Sequence, residues 1–290
     1  MDVRRADGAS PWDAALTSYA YPPFTQRWAW GDVQASLGKR VERLRADTPA
    51  GPILAQWIEE RRGPLSYWFA PQGPVLPVGI SPADLAIFLD GCRRVLPGGW
   101  RACFDRCEPR WRRFGGYLPE AAGLSLPGWK RVRSLNPSTN MVVPIQGTAE
   151  ELLERLHKKT RYNIRLAERH HVVVRGGAAA DLPVFLALMA ETAVRDGFHA
   201  HAPGYLRAVV EHVCRAGCGR LRIAEAAGIP LAANFEVLCG DTVTYLYGAS
   251  SSRERERMAP YALQWSALFA ARQEGFRWYD FGGGNPEDPA

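Results

Sequence analysis

Long apolar runs are missing from this chain. No segment approaches the roughly 18 uncharged apolar residues that a membrane-spanning helix requires, although 47% of the 290 residues are hydrophobic. The opening stretch, MDVRRADGASPWDAAL, has no apolar core of the kind a secretory leader carries. A soluble, cytoplasmic protein is expected. Cysteine is also thin: six residues are scattered along the chain, with no C-x2-C pair, so reduced thiols are expected in place of a disulfide framework. His199, His201, His212, Cys214 and Cys218 lie close together and are residue types that ligate zinc. Cys214 and Cys218 fall on an expected helix, where cysteine behaves as a small apolar residue, and no metal is expected. Acids are in deficit: 30 Asp and Glu face 36 Lys and Arg. That excess favours an anionic partner without choosing among nucleic acid, phosphorylated metabolites and an acidic membrane surface.

What remains is hydrophobic enough for one large domain or two of ordinary size. From Leu182 onward, LPVFLALMAETAVRDG and PGYLRAVVEHVCRAG have helical spacing and end on glycine. RLRIAEA, PLAANFEVL and TVTYLYGAS then read as strands, APYALQWSALFAARQEG as a helix and FRWYDFGG as a last strand. The first half repeats this order more loosely. TQRWAWGDVQASLG and SPADLAIFLDGCRRVLP read as helices, and GPILAQWIEER, LSYWFAP, WRACFDRCEP and TNMVVPI as strands. Two similar α/β halves imply a duplication, with a boundary near Gly147 separating residues 1–147 from 148–290.

Between the halves lies the most basic stretch. Thr148 and Glu151 have capping-box spacing, and one helix is expected to run from there through AEELLERLHKKTRYNIRLAERH. Leu152, Leu153, Leu156, Ile164 and Ala167 fall on one side of it. Lys158, Arg161, Tyr162, Arg165 and Arg169 fall roughly opposite. From Arg155 to Arg175, seven Lys and Arg are opposed by a single acid, Glu168, so the face lacks the i,i+4 acids that a merely solvated face carries. With Tyr162 and Asn163 among the cations, the composition suits a polyanion, tRNA or lipid phosphate alike.

KKTRYNIRLAER, LMAETAVRDGF, TYLYGAS, APYALQWSALFAARQEGFRWYDFGG and, earlier, QRWAWGDV and APQGPV resemble the FemABX family of aminoacyl-tRNA-dependent peptidyltransferases. The resemblance covers most of the chain in the same order. It implies an α/β fold of two tandem GNAT-like domains without the helical-hairpin insertion of some members. It also implies transfer of an amino acid from its tRNA to a free amine on a peptide acceptor, with Lys158, Lys159, Arg161, Tyr162 and Arg165 contributing to tRNA binding. The competing use of this fold, acyl-CoA-dependent N-acyl transfer, needs an [RQ]-x-x-G-x-[GA] loop whose backbone N–H groups face pyrophosphate. Only the near miss RRFGGY at Arg112 to Tyr117 is present, and SSSRERERMAP precedes the long helix of the second half.

Aminolysis of an ester needs no metal, ATP or other cofactor. It needs orientation, an outlet for a proton and donors for an oxyanion. Glu108, in DRCEP, and Asp280, in YDFGG, match acidic positions of the family and are the candidate catalytic residues; each also reads as an acid capping a strand end. The acceptor candidates are Gln34, His201, Tyr205 and Tyr247. Gln34 and His201 stand where members that bind nucleotide- or lipid-linked muramyl peptides tend to have Lys and Arg, and the C-terminal NPEDPA lacks their Phe-Lys pair. Those departures leave two acceptors open: a peptidoglycan stem peptide, or a peptidyl-antibiotic intermediate carried on a carrier protein. An acyl-CoA enzyme and a catalytically silent binding protein also stay open.

Overall fold

The structure, a computed structural model, describes residues 1–98, 102–109, 126–137 and 139–284. The near-miss loop at 112–117 and the C-terminal NPEDPA lie outside them. The chain divides into two compact units, Met1–Ser138 and Thr139–Ala290.

The first unit holds β1 (Arg4–Arg5), α1 (Ala9–Thr17), α2 (Trp28–Ser36), β2 (Val41–Thr48), β3 (Gly51–Arg62), β4 (Leu65–Ala70), α3 (Pro82–Val95) and β5 (Ala102–Cys107). The strands form one sheet in the order β1-β2-β3-β4-β5, antiparallel except for β4 and β5. A parallel neighbour requires a crossover, and α3 supplies it. Ser81 and Asp84 close the capping box at its start, with Pro82 in its first turn and Arg93 and Arg94 in its last. Its Leu85, Phe88, Leu89 and Cys92 pack on Trp57 and Trp68 of the sheet. Burying each large apolar side chain contributes about 1.5–3 kcal/mol.

The second unit holds β6 (Thr139–Pro144), α4 (Ala149–Arg155), α5 (Lys158–Arg169), β7 (Val173–Gly176), α6 (Leu182–Asp196), α7 (Pro203–Arg215), β8 (Gly219–Ala226), β9 (Ile229–Cys239), β10 (Thr242–Ser250), α8 (Ala259–Gln273) and β11 (Trp278–Gly284). Its sheet order is β6-β11-β10-β9-β8-β7, with β10 and β11 the parallel pair and α8 their crossover. Ala259, Leu263, Ala267 and Ala271 are buried at four-residue spacing along α8, and three alanines in that stripe let the helix lie close to the strands.

Two expectations need correction. β6, which sequence order places in the first half, pairs with β11, so the second unit starts at Thr139 and not near Gly147. The long basic helix is two helices, because Leu156 and His157 are extended at ψ 148° and 145°. The Thr148–Glu151 capping box does open α4. At the break, His157 accepts from the Lys159 backbone N–H at 3.2 Å and caps α5. Arg161 turns back to donate to the Glu154 and Leu156 carbonyls at 3.0 and 2.6 Å. Those two carbonyls end α4 and have no helical donor left, so a cation there is well placed.

Candidate active site

β10 and β11 form a fork. They are paired at only three positions, Thr242–Trp278, Val243–Tyr279 and Thr244–Asp280, although both strands run on. Beyond that point β10 has an irregularity between Tyr245 and Tyr247. β11 loses register with β6 between Asp280 and Gly283, with Gly282 at φ +77°, a conformation that favours glycine. The rings of Tyr279 and Phe281 lie 4.8 Å apart and those of Tyr245 and Phe281 6.5 Å apart at the fork's base. A Cβ on Gly248 would sit 1.5 Å from the Tyr245 hydroxyl; the missing side chain is what lets that phenol lie across the strand. Backbone groups in such an opening can meet an oxyanion.

Asp280 closes the paired end. It is fully buried. Its carboxylate accepts from Asn140 Nδ2 at 3.1 and 2.9 Å and from the Gly282 backbone N–H at 2.8 Å. These bonds tie β6 to β11 and shape the Gly282 turn, the strand-end capping role open to it from sequence.

His201, Tyr205 and Tyr247 come together. His201, just before α7, and Tyr205 in its first turn have ring centroids 4.6 Å apart, and the Tyr247 ring of β10 stands edge-on to His201 at 5.9 Å. Burial, and then the neighbouring Tyr205 phenol, push the Tyr247 hydroxyl far above the ordinary tyrosine range. It stays protonated and available as a donor.

On α5, Lys158, Lys159, Tyr162, Arg165 and Arg169 are exposed, and the Arg169 guanidinium lies 5.7 Å from the Tyr162 ring centre. Three residues read into this face from sequence leave it. Arg161 caps α4, Asn163 is buried, and Arg175 is engaged by Asp181 and Glu225.

The remaining candidates belong to the first unit. Gln34 is buried in α2. Glu108 follows β5, and its carboxylate accepts from Arg106 Nε at 3.3 Å, the Leu135 N–H at 2.6 Å, the Asn136 N–H at 3.3 Å and Asn136 Nδ2 at 2.6 Å. All four bonds organise the local loop. Glu108 and Gln34 belong to the first unit, and the fork and the rings to the second.

Comparison with known proteins fits this architecture. Residues 154–288 match the family described as acetyltransferase (GNAT) domain. A crystal structure of FemX superposes with a TM-score of 0.85 at 18% identity, covering 100% of this chain and 90% of that one. The fold is that of FemX, two GNAT-like units in tandem. A conserved Bacteroides thetaiotaomicron protein of unknown function has the same fold at a TM-score of 0.59 and 13% identity, over 95% of this chain and 87% of that one. In sequence, a Staphylococcus epidermidis protein named lipid II:glycine glycyltransferase is 22% identical over 210 residues, 51% of this chain and 50% of that protein. Its Staphylococcus aureus namesake is 23% identical over 233 residues, 57% and 55% of the two. The chain thus spans about half the length of the curated relatives it matches.

Within this FemABX-like fold the sequence reading missed a polar group beneath the fork. Glu236 of β9 is fully buried; it accepts from the Tyr279 hydroxyl at 2.7 Å and from Arg222 Nε of β8 at 2.9 Å. The bond from Glu236 to Tyr279 passes under β10 and links its two neighbours. One signal was available: in PLAANFEVL, Asn234 and Glu236 alternate with inward residues of a strand apolar on both faces, where an acid needs a buried partner. Among the described residues no group of three or more His, Cys, Asp or Glu is arranged to hold a metal ion, and no helix is long and apolar enough to cross a membrane.

Proposed function

We propose that this chain transfers an aminoacyl group from its tRNA to a free amine of a peptidoglycan-precursor peptide. The observation that carries the reading is the open β10–β11 fork in the same unit as the basic face of α5, which packs on the crossover helix α8. The kinship with proteins named lipid II:glycine glycyltransferase favours the peptidoglycan precursor over the antibiotic intermediate as acceptor.

The segment before α8 supports an acyl donor other than acyl-CoA. There the Glu191 carboxylate accepts from the Ser252 backbone N–H at 2.6 Å and from the Ser251 hydroxyl at 3.2 Å. A carboxylate seated on these donors occupies them and repels a pyrophosphate.

In the proposed reaction the acceptor amine attacks the ester carbonyl. A C–N bond forms, the ester C–O bond breaks, and the ribose hydroxyl of the tRNA leaves with a proton from the amine. Lys158, Lys159, Tyr162 and Arg165 hold the tRNA by phosphate neutralisation and stacking. His201, Tyr205 and Tyr247 hold the acceptor, and backbone N–H groups of the fork receive the oxyanion. Holding amine and ester in contact contributes up to about 7–11 kcal/mol. The test is incubation with tRNA charged with labelled amino acids, offering a muramyl pentapeptide and a small free-amine peptide in parallel. RNase-sensitive label on the muramyl peptide is expected. Label on neither acceptor overturns the reading, and label on the small peptide alone overturns the acceptor.

A further inference from the structure

One step of the proposed reaction still lacks a group to perform it. An aliphatic amine of the lysine kind, with an ordinary pKa of about 10.4, enters neutral solution as an ammonium, and its nitrogen can attack an ester carbonyl only after a proton has left. A base for that proton must lie beside the acceptor and carry a lone pair not yet engaged. Most titratable groups fail this requirement. Asp280 accepts from Asn140 and the Gly282 N–H, and Glu236 accepts from Tyr279 and Arg222. At the end of α6, Arg195 pairs with Asp196 and reaches the Ser250 carbonyl, while Glu191 is engaged by Ser251 and Ser252. On α7, Arg207 and Glu211 pair at 3.7 Å. Tyr247 keeps its proton and is a donor. In the first unit, four donors are directed at Glu108.

His201 meets the requirement. Its ring lies between those of Tyr205 and Tyr247, and among the described residues neither of its nitrogens has a hydrogen-bond partner. Two aromatic contacts therefore orient the imidazole without using its lone pair. The backbone beside it is fixed by the start of α7, where Pro203 opens the helix and the Ala202 carbonyl accepts from the Tyr205 and Leu206 N–H groups at 2.9 and 3.1 Å. Tyr247 stands on β10 beyond Thr244, the last residue paired with β11, so the imidazole lies against the part of β10 that has left its partner. His201 is also exposed, which gives a proton taken there a way out to water.

We propose that His201 is the general base of the transfer, its neutral imidazole taking one proton from the acceptor ammonium before the amine attacks. The amine nitrogen then forms the C–N bond, the ester C–O bond breaks, and the ribose oxygen leaves with a second proton from that nitrogen. His201 returns its own proton to water. An arginine, the residue the family resemblance leads one to expect here, can hold an anion but accepts no proton; a neutral imidazole nitrogen does both jobs of a base, orientation and uptake. Tyr205 and Tyr247 keep their part in holding the acceptor. The inference rests on the proposed aminoacyl transfer and names the residue that performs its proton step.

The experiment measures initial rates of transfer from tRNA charged with labelled amino acids to a water-soluble muramyl pentapeptide, across a pH series and for the full chain and its variants. His201→Gln should lower kcat about 100-fold or more near neutral pH and remove the acidic limb of its pH profile, the rate then following the fraction of unprotonated amine. His201→Arg should lose kcat to a similar extent although it keeps a cation for holding the acceptor. Added imidazole should restore part of the activity of His201→Ala, which a folding defect would not allow. His199→Gln, two residues earlier in the same segment, should match the wild type. A raised KM with kcat and the acidic limb unchanged in His201→Gln overturns the base and leaves His201 as a holder of the acceptor, with the proposed function standing. No transfer by the wild-type chain overturns the proposed function, and the base falls with it.

Discussion

In the first unit β4 and β5 stay paired to their last residues, Ala70 and Cys107, and the Glu108 N–H continues the closure by donating to the Ala70 and Gly73 carbonyls. In the second unit β10 and β11 part after Thr244 and Asp280. The plan is the same in both, a parallel pair joined by a crossover helix. What differs is the side chains at the point of divergence. The closed pair ends in core: burial, and then the Glu108 carboxylate, push the Cys107 thiol up to about 12, which leaves it inert. The open pair ends in the rings of Tyr245, Tyr279 and Phe281 and a left-handed glycine. A fold of two like units can therefore keep one parallel pair closed and part the other through a few residues at one strand end.

An open fork needs bracing, and the buried ion pair beneath it provides a measurable brace. Glu236→Leu would leave the Arg222 side chain, 13% exposed, facing the interior without its partner, and should lower stability by about 3–5 kcal/mol. Glu236→Gln keeps an acceptor for Tyr279 and should lose less than half of that. Urea denaturation of both variants measures the difference. A loss below about 1 kcal/mol for Glu236→Leu would mean that the fork stays open without help from beneath, and the contrast between the units would then rest on the rings alone.

The second unit was the more legible from sequence, and the reason is physical. RLRIAEA, PLAANFEVL, TVTYLYGAS and the α8 segment lie in or against a sheet covered on both faces, so their apolar content marks them directly. In the first unit β2, VERLRADT, went unread because its charges are engaged on the sheet: Glu42 with Arg5, Arg43 with Asp32 and Gln56, and Arg45 with Asp47. Periodicity also carried the basic helix across Leu156 and His157. Both halves keep helical spacing, and the break is made by an arginine cap, which depends on where a long side chain turns. The ring cluster was assembled from sequence only through family resemblance, since His201 and Tyr247 meet through tertiary structure.

That arginine cap separates two kinds of cation on one helix. Lys158→Ala with Lys159→Ala should weaken tRNA binding about tenfold or more at low salt and reduce the slope of log K against log salt by about 1.4–1.8. Arg161→Ala should leave the slope unchanged and lower stability by about 1 kcal/mol, through loss of its bonds to α4. Filter binding across a salt series, with thermal unfolding of the same samples, reads both. A changed slope for Arg161→Ala would return it to the tRNA face. At the rings a smaller effect is expected: Tyr247→Phe should raise the acceptor KM by up to about tenfold, the worth of one hydrogen bond, with kcat unchanged. An unaltered KM would remove Tyr247 from the acceptor site.

The smallest expected effect bears most directly on the contrast between the units. If the closed end of the first unit is structural, Glu108 acts by holding Arg106 and the backbone of Leu135 and Asn136. Glu108→Gln would then keep one carbonyl oxygen as acceptor and turn the other position into a donor facing donors, a local disturbance that should change kcat less than about tenfold. If Glu108 is the general base, the amide cannot take a proton, and kcat should fall by about 100-fold to 10,000-fold. The pH profile separates the two outcomes independently of size. A structural carboxylate leaves the acidic limb of kcat where it was, whereas loss of a base removes that limb. Four donors already directed at this carboxylate favour the small effect, because a base that must collect a proton from an amine needs a lone pair not yet engaged.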